Sequence, residues 1–262
     1  MLIAAAVCPH PPLLVPEVTG VSDPAAGELD RLRAACRDAV AVLLGAAPDL
    51  LVVAGGAGQT TEYPAALPPS PPGGPIPPDH PWKGTAPPSP PEPGGSLRAF
   101  AVPFTMGADP VLPLSLTIGK WLLAGVGPGS QKVSWQAIAS GTPAADCLSL
   151  GEKLAALAPR VALLAMGDGP GCRARGVPGA THPDADRYDR QVTAALAAAD
   201  PAALAALDPG RDQELFVAGR AAWQVLAGAA FAGAFTADLR YAAAPFEVSY
   251  YVATWMRAHR AH

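Results

Sequence analysis

The sequence predicts an α/β fold, with a mostly parallel central sheet and helices on both faces. Three observations carry this. Short, continuously apolar runs at residues 2–7, 50–54 and 161–166 alternate with longer segments of helical period. Continuous apolar character suits a strand buried on both faces, and strands separated by helices argue for parallel crossover units. Half of the 262 residues are hydrophobic and only 15% are charged, enough for one large domain with a full core and against disorder of the whole chain.

The elements follow in order. The first run passes straight into Cys8-Pro9-His10-Pro11-Pro12. Prolines on both sides of His10 hold the backbone extended and exclude helix there. Residues 28–44 have a helical period, with Leu29, Leu32, Cys36, Val40 and Leu43 on one face, and Gly45 and Pro48 end it. Residues 49–56 read as a second buried strand running into a glycine turn. Residues 97–104 are a third strand candidate, 113–124 a helix, 133–139 a strand and 144–157 a helix. Val161–Met166 is the clearest central strand, and Gly167-Asp168-Gly169-Pro170-Gly171 follows it. Helices fill much of 184–230, with Asp200-Pro201 between two segments, and residues 241–255 end the fold.

One segment breaks the alternation. Residues 67–95 are dominated by Pro, Gly and Ser, which excludes a helix or a central strand. They read as a surface loop inserted into a single domain spanning 1–262. An ordered loop covering a site edge is the alternative. Asp79-His80-Pro81-Trp82 is its only chemically distinctive part.

Composition excludes several function classes. A net charge of −4 with no basic run argues against nucleic-acid binding. No apolar run reaches 18 residues and no basic n-region opens the chain, so a soluble, cytoplasmic protein without a membrane partner is expected. The four cysteines are scattered without a CxxC, so a disulfide framework is not expected. Cys36 and Cys147 fit as core fillers. Cys8 and Cys172 follow strands, where a reactive or ligating thiol competes with a packed one. GxGxxG, GxxxxGK[ST] and GxSxG are absent, against a Rossmann oxidoreductase, a P-loop NTPase and an α/β-hydrolase.

The candidate site residues lie where strands end, the edge at which open α/β sheets place ligands. His10 is a good ligand type for Fe²⁺ or Zn²⁺, and bonding to a loop carbonyl is its ordinary alternative. The Gly55-Gly56 turn could bring a ligand close to the backbone, although Gly-Gly-x-Gly is a weak phosphate signal. Asp168 fits a ligand or a base, or a carboxylate bonding nearby amides in a turn. His182 belongs either to the same cleft or to a loop leading into the next helix, with Asp184 as its cap. Glu247 supplies a carboxylate or faces solvent.

The order of these pieces resembles the LigB-like family of class III extradiol ring-cleavage dioxygenases, which includes the Memo proteins. The resemblance rests on the strand into Cys8-Pro9-His10-Pro11-Pro12, on Leu50-Leu51-Val52-Val53 ending in glycines, on the strand into Gly167-Asp168, and on Ala244-Pro245-Phe246-Glu247-Val248-Ser249-Tyr250-Tyr251. It implies a LigB-like αβα sandwich. In the family's active members it implies Fe²⁺ held by two histidines and a glutamate, with a further histidine as acid/base, opening catechol-type rings with O₂. His10 matches the first ligand and Glu247 stands for the carboxylate. The second histidine's position falls in residues 55–58, where none stands. The acid/base position after Asp168 holds Pro170, Gly171 and Cys172, so His182 or His80 would have to substitute from a loop. The expectation is a LigB-like protein with lost or altered catalysis, metal-bound through His10 and Glu247 with Asp168 and His182 in catalytic roles. The alternative is a Memo-like binding protein using the same cleft for a small molecule, an aromatic one on the family's chemistry, or for a protein partner. A homo-oligomer is compatible with either.

Overall fold

Residues 2–8 alternate between two interiors. Leu2, Ala5 and Val7 point into one apolar cluster, and Ile3, Ala4, Ala6 and Cys8 into another. Val161, Leu163 and Ala165 likewise oppose Ala162, Leu164 and Met166. A strand with apolar residues on both faces must be central, and these are. The computed structural model describes residues 1–19, 26–66, 93–97, 99, 105–106, 108–127, 131–172 and 182–258. In chain order the strands are β1 (Leu2–Cys8), β2 (Leu50–Ala57), β3 (Thr61–Ala66), β4 (Pro93–Ser96), β5 (Thr105–Met106), β6 (Ala108–Val111), β7 (Lys132–Ala139), β8 (Val161–Met166), β9 (Phe235–Ala243) and β10 (Tyr250–Arg257). The helices are α1 (Pro16–Thr19), α2 (Ala26–Gly45), α3 (Leu114–Val126), α4 (Ala144–Ala155), α5 (Ala185–Ala198), α6 (Pro201–Ala205), α7 (Arg211–Leu215) and α8 (Arg220–Ala230).

The main sheet has seven strands in the order β3-β7-β2-β8-β1-β10-β9. The block β7-β2-β8-β1 is parallel, and antiparallel strands flank it on both sides. The sheet is thus mostly parallel, as expected. Helices α2 and α3 contribute to one core layer, and α4, α5, α6 and α8 to the other. The expected stripe on α2 is buried throughout. The Arg160 guanidinium closes the end of α2, donating to the carbonyls of Ala46 (2.6 Å) and Ala47 (3.2 Å).

Two boundaries differ from expectation. Pro93–Ser96, placed by sequence in or beside the proline-rich insertion, forms β4 between β5 and β6 in a small second sheet. This strand is minimal. Each partner pairs with only two of its residues, and its proline stands first, where no ladder donor is missed. Residues 67–92, with His80, lie outside the described residues. The strand expected at 97–104 is not found at Leu97, which is fully buried beyond the end of β4, and most of that range also lies outside the described residues. In β9, the pairing with β10 shifts between Leu239 and Tyr241, so Arg240 is an extra, bulged residue. The bulge changes the face of the strand. Phe235, Ala237 and Leu239 pack into one layer and Tyr241 into the other, where its hydroxyl donates to Glu28 Oε1 at 2.7 Å.

Every residue of α8 is buried, which fits a helix that is apolar almost all round. Its neighbour α4 comes so close that a Cβ at Gly228 would collide with the Leu148 carbonyl, and one at Gly151 with the Val225 carbonyl. The exceptional side chain is Arg220, 1% exposed at the start of α8. Its Nε donates to Asp212 Oδ2 (2.7 Å), and Nη1 to the Thr142 carbonyl (2.6 Å) and Gln224 Oε1 (2.9 Å), while Nη2 donates to the Ser140 carbonyl. Gln224 passes the network on to the carbonyls of Ala205 and Leu207. Burial pushes the Asp212 carboxyl above its usual range, and the Arg220 guanidinium opposes that shift. No helix among the described residues is long and apolar enough to cross a membrane.

Removing Arg220 strands a buried carboxylate and several carbonyls. Arg220→Met is expected to cost about 3–5 kcal/mol of unfolding free energy, read from urea denaturation. Arg220→Met with Asp212→Leu should cost less than the sum of the single changes.

Candidate functional site

The parallel strands β1 and β8 end side by side. Cys8 lies opposite Met166, and the Gly167 N–H donates to the Cys8 carbonyl at 2.9 Å. Just past this edge stand His10 and Asp168. The His10 backbone N–H donates to Asp168 Oδ1 at 2.8 Å. The same oxygen lies 3.7 Å from His10 Nδ1, which is buried and has no hydrogen-bond partner among the described residues. His10 is held from the other side as well. Pro11 is extended (φ −66°, ψ 141°) and leads into a short 3₁₀ turn at Pro12–Leu14. Buried Arg33 on α2 fastens that turn, donating to the carbonyls of Leu13 and Leu14 at 2.9 Å each. The imidazole thus sits on a backbone fixed by proline, by a carboxylate and by a guanidinium.

Two other groups feel the Asp168 charge. Burial first, and the Asp168 charge second, hold the Tyr250 phenol protonated. Burial, then hydrogen bonding to the Cys8 thiol, push the Cys36 thiol well up. Tyr250 was legible only as a strand residue. Nothing local in the sequence brings it to Asp168.

The neighbouring glycine turn is partly filled by protein. A Cβ at Gly55 would lie 2.5 Å from Ser115 Oγ and 2.7 Å from Ser115 Cβ, and one at Gly56 would lie 3.0 Å from the Ala218 carbonyl oxygen. Ser115 Oγ itself donates to the Gly56 carbonyl at 2.8 Å. Gly55 thus lets α3 pack closely on β2, Gly56 lies against the chain before α8, and a Cβ at Gly58 would meet nothing within 4 Å. The Asp168 loop is packed in the same way. A Cβ at Gly167 would strike Gly219, and one at Gly169 would lie 2.6 Å from the Tyr251 hydroxyl.

The other expected residues have partners of their own. Glu247 is exposed in a turn with left-handed backbone (φ 61°), its N–H donating to the Ala244 carbonyl. Its segment reaches the Asp168 loop through backbone bonds between Ser249 and residues 169–170. Among the described residues, no hydrogen bond or ion pair links Glu247 to His10 or Asp168. His182 leads into α5. Its N–H donates to the Cys172 carbonyl, and its Nδ1 accepts from the Asp184 N–H at 3.2 Å. Asp184 precedes α5 but makes no side-chain cap, because Arg211 takes its carboxylate at 2.6 Å. Cys8 and Cys172 are buried, and the Cys172 thiol donates to the Leu215 carbonyl at 3.5 Å.

A ferrous centre of two histidines and a carboxylate needs three converging ligands. Among the described residues, no three His, Cys, Asp or Glu side chains form such a group. His10 and Asp168 supply two donors, and the described residues therefore do not fit that centre. What the pair can do is position an imidazole beside a carboxylate, an arrangement suited to binding or proton transfer.

Two outcomes follow. Asp168→Ala leaves the buried His10 N–H without an acceptor and should cost about 1–3 kcal/mol, whereas Asp168→Asn keeps an oxygen there and should cost less in urea titrations. Cys36 and Cys147, ordinarily ionising near pH 9.0, and Tyr188, Tyr241, Tyr250 and Tyr251, ordinarily near 10.0, are all shifted up, chiefly by burial. The unfolded chain releases these protons first. The contribution of these groups to stability should therefore be constant below about pH 8 and fall as pH rises past about 9, a trend that denaturation midpoints across pH 7–11 would reveal.

No family model matches the chain, and no curated protein matches it by sequence. Its structure is similar to the crystal structure of the uncharacterized protein JW3007 from Escherichia coli K12. The TM-score is 0.50 and the identity 15%, over 96% of this chain and 99% of that one. At this identity the likeness shows a shared α/β fold.

Proposed function

We propose that this chain is a LigB-like protein that has lost ferrous ring cleavage and uses the carboxyl edge of its sheet, around His10 and Asp168, to bind a small aromatic molecule. The observation that carries the reading is the stretch 55–58, where the family's second histidine would stand: none of these residues is a histidine, and Ser115 packs against Gly55. Fe²⁺ or Zn²⁺ held by His10 with Asp168, or with Glu247, would bind weakly, since each missing ligand removes a directional bond. Loss of an acid/base histidine costs a further factor of about 10²–10⁴ in rate. A cytoplasmic location fits the four scattered, buried cysteines.

An altered catalytic activity is the second reading, favoured by the unpartnered Nδ1 of His10 beside Asp168 among the described residues. In that reading the imidazole takes a proton from a bound substrate and the carboxylate steadies the resulting cation.

Metal analysis of the purified protein should find well under one equivalent of iron or zinc. Anaerobic loading with Fe²⁺, followed by O₂ and protocatechuate, should give no yellow ring-opened product. Robust turnover abolished by His10→Ala would overturn the proposal.

A further inference from the structure

The two nitrogens of the His10 ring are in different situations. Nδ1 is sealed from solvent and lies 3.7 Å from Asp168 Oδ1, too far for a hydrogen bond but close enough to feel its charge. Nε2 has no hydrogen-bond or ion-pair partner among the described residues, and unlike Nδ1 it is not sealed from solvent. A residue only 8% exposed thus keeps one ring nitrogen closed and the other open.

Asp168 decides which nitrogen carries the proton. Its Oδ1 accepts the His10 backbone N–H at 2.8 Å, so the carboxylate is fixed to the residue whose ring it faces. No Lys or Arg lies within ion-pair distance of it among the described residues. A neutral imidazole has one N–H and one lone pair, and the surroundings of one nitrogen set the state of the other. With the lone pair on Nδ1, it would face a negative oxygen in a buried place. With the proton on Nδ1, an N–H faces that oxygen, and a shift of less than about 1 Å completes the hydrogen bond. Such bonds are often long before a ligand binds and tighten in the complex. The Nδ1–H tautomer leaves a lone pair on the open nitrogen, Nε2.

We propose, resting on the reading of this edge as a small-aromatic site, that Asp168 holds His10 in the Nδ1–H tautomer, so that Nε2 is a fixed acceptor for the hydroxyl of a neutral, phenol-type ligand. A carboxylate brought to Nε2 would meet a lone pair and add to the Asp168 charge, which no described cation offsets. An ether of the same shape would bring no donor and would leave the Nε2 lone pair unsatisfied. Asp168 is in this role a positioning residue, acting through the imidazole.

Ring-nitrogen NMR of the full, ¹⁵N-labelled chain tests the tautomer, with the His10→Gln spectrum identifying the His10 resonances among those of five histidines. The neutral His10 ring should carry its proton on Nδ1. Asp168→Asn keeps an acceptor for the His10 backbone N–H and removes the charge, and it should move the ring towards the Nε2–H form that free histidine prefers. Titration with phenol should shift the Nε2 resonance and show at least about fivefold tighter binding than anisole or benzoate, the order of one hydrogen bond. Asp168→Asn should lose most of that preference. An Nε2–H ring in the unsubstituted protein, or a tautomer unchanged in Asp168→Asn, would overturn the proposal. So would anisole or benzoate binding as tightly as phenol, a result that leaves small-aromatic binding at this edge standing. Failure of all three probes to bind at about tenfold excess over a millimolar Kd would overturn the proposal and that reading together.

Discussion

The guanidinium of Arg220 joins parts of the chain that nothing else ties so directly. It lies in the apolar layer between the sheet and its outer helices, a place where an unpaired charge would cost several kcal/mol. The cost is met because Asp212, Thr142, Ser140 and Gln224 all accept from it, and Gln224 then donates to the α6 end. Helix α7, the β7–α4 loop, α8 and the end of α6 are thus set by one side chain. Directional bonds fix their register more narrowly than alanine-rich surfaces can. Much of α6 and α8 is alanine, whose small side chains slide past one another with little change in contact. The buried arginine supplies the specificity that such packing lacks.

The same helix layer bears on the carboxyl edge. The chain between α7 and α8 passes over the ends of β2 and β8, with the Ala218 N–H donating to the Asp168 carbonyl and its oxygen lying over Gly56. The glycines there permit backbone to meet backbone. A sheet edge built for several metal ligands has to leave volume for their side chains. Here Ser115 and the 216–219 segment pack against the glycines, and among the described residues His10 and Asp168 stand together at the edge.

Much of the sheet was legible because its signal is local. Val161–Met166 is six apolar residues between helical segments, and only a doubly covered strand suits such a run. Helix α2 was legible through the spacing of Leu29, Leu32, Cys36, Val40 and Leu43. The strand at Pro93 was not, since four residues containing one proline and two glycines have no propensity signature, and the strand exists through its neighbours. The carboxylates were the hardest. Asp184 has the look of a helix cap, but Arg211, 27 residues away, takes its oxygen. Glu247 matched by order alone, and its left-handed backbone sets it in an exposed turn. Asp168 and His10 meet because their strands are neighbours, and that pairing spans 158 residues. Arg220 carries no sequence signal, since its importance comes from partners on other elements.

The bulge at Arg240 has a consequence beyond its own strand. Strand β9 ends the sheet, and a nine-residue edge would otherwise offer a ready template for another chain's backbone. An extra residue in the middle breaks the repeat of donors and acceptors along that edge. Asp238 and Arg240, paired at 2.9 Å, add charge beside the break. An incoming strand would find two short runs out of phase with each other, and could match one only by missing the other. The device that turns Tyr241 towards Glu28 therefore also limits how far the sheet can grow, leaving a protein half hydrophobic in composition with an end that resists polymerisation.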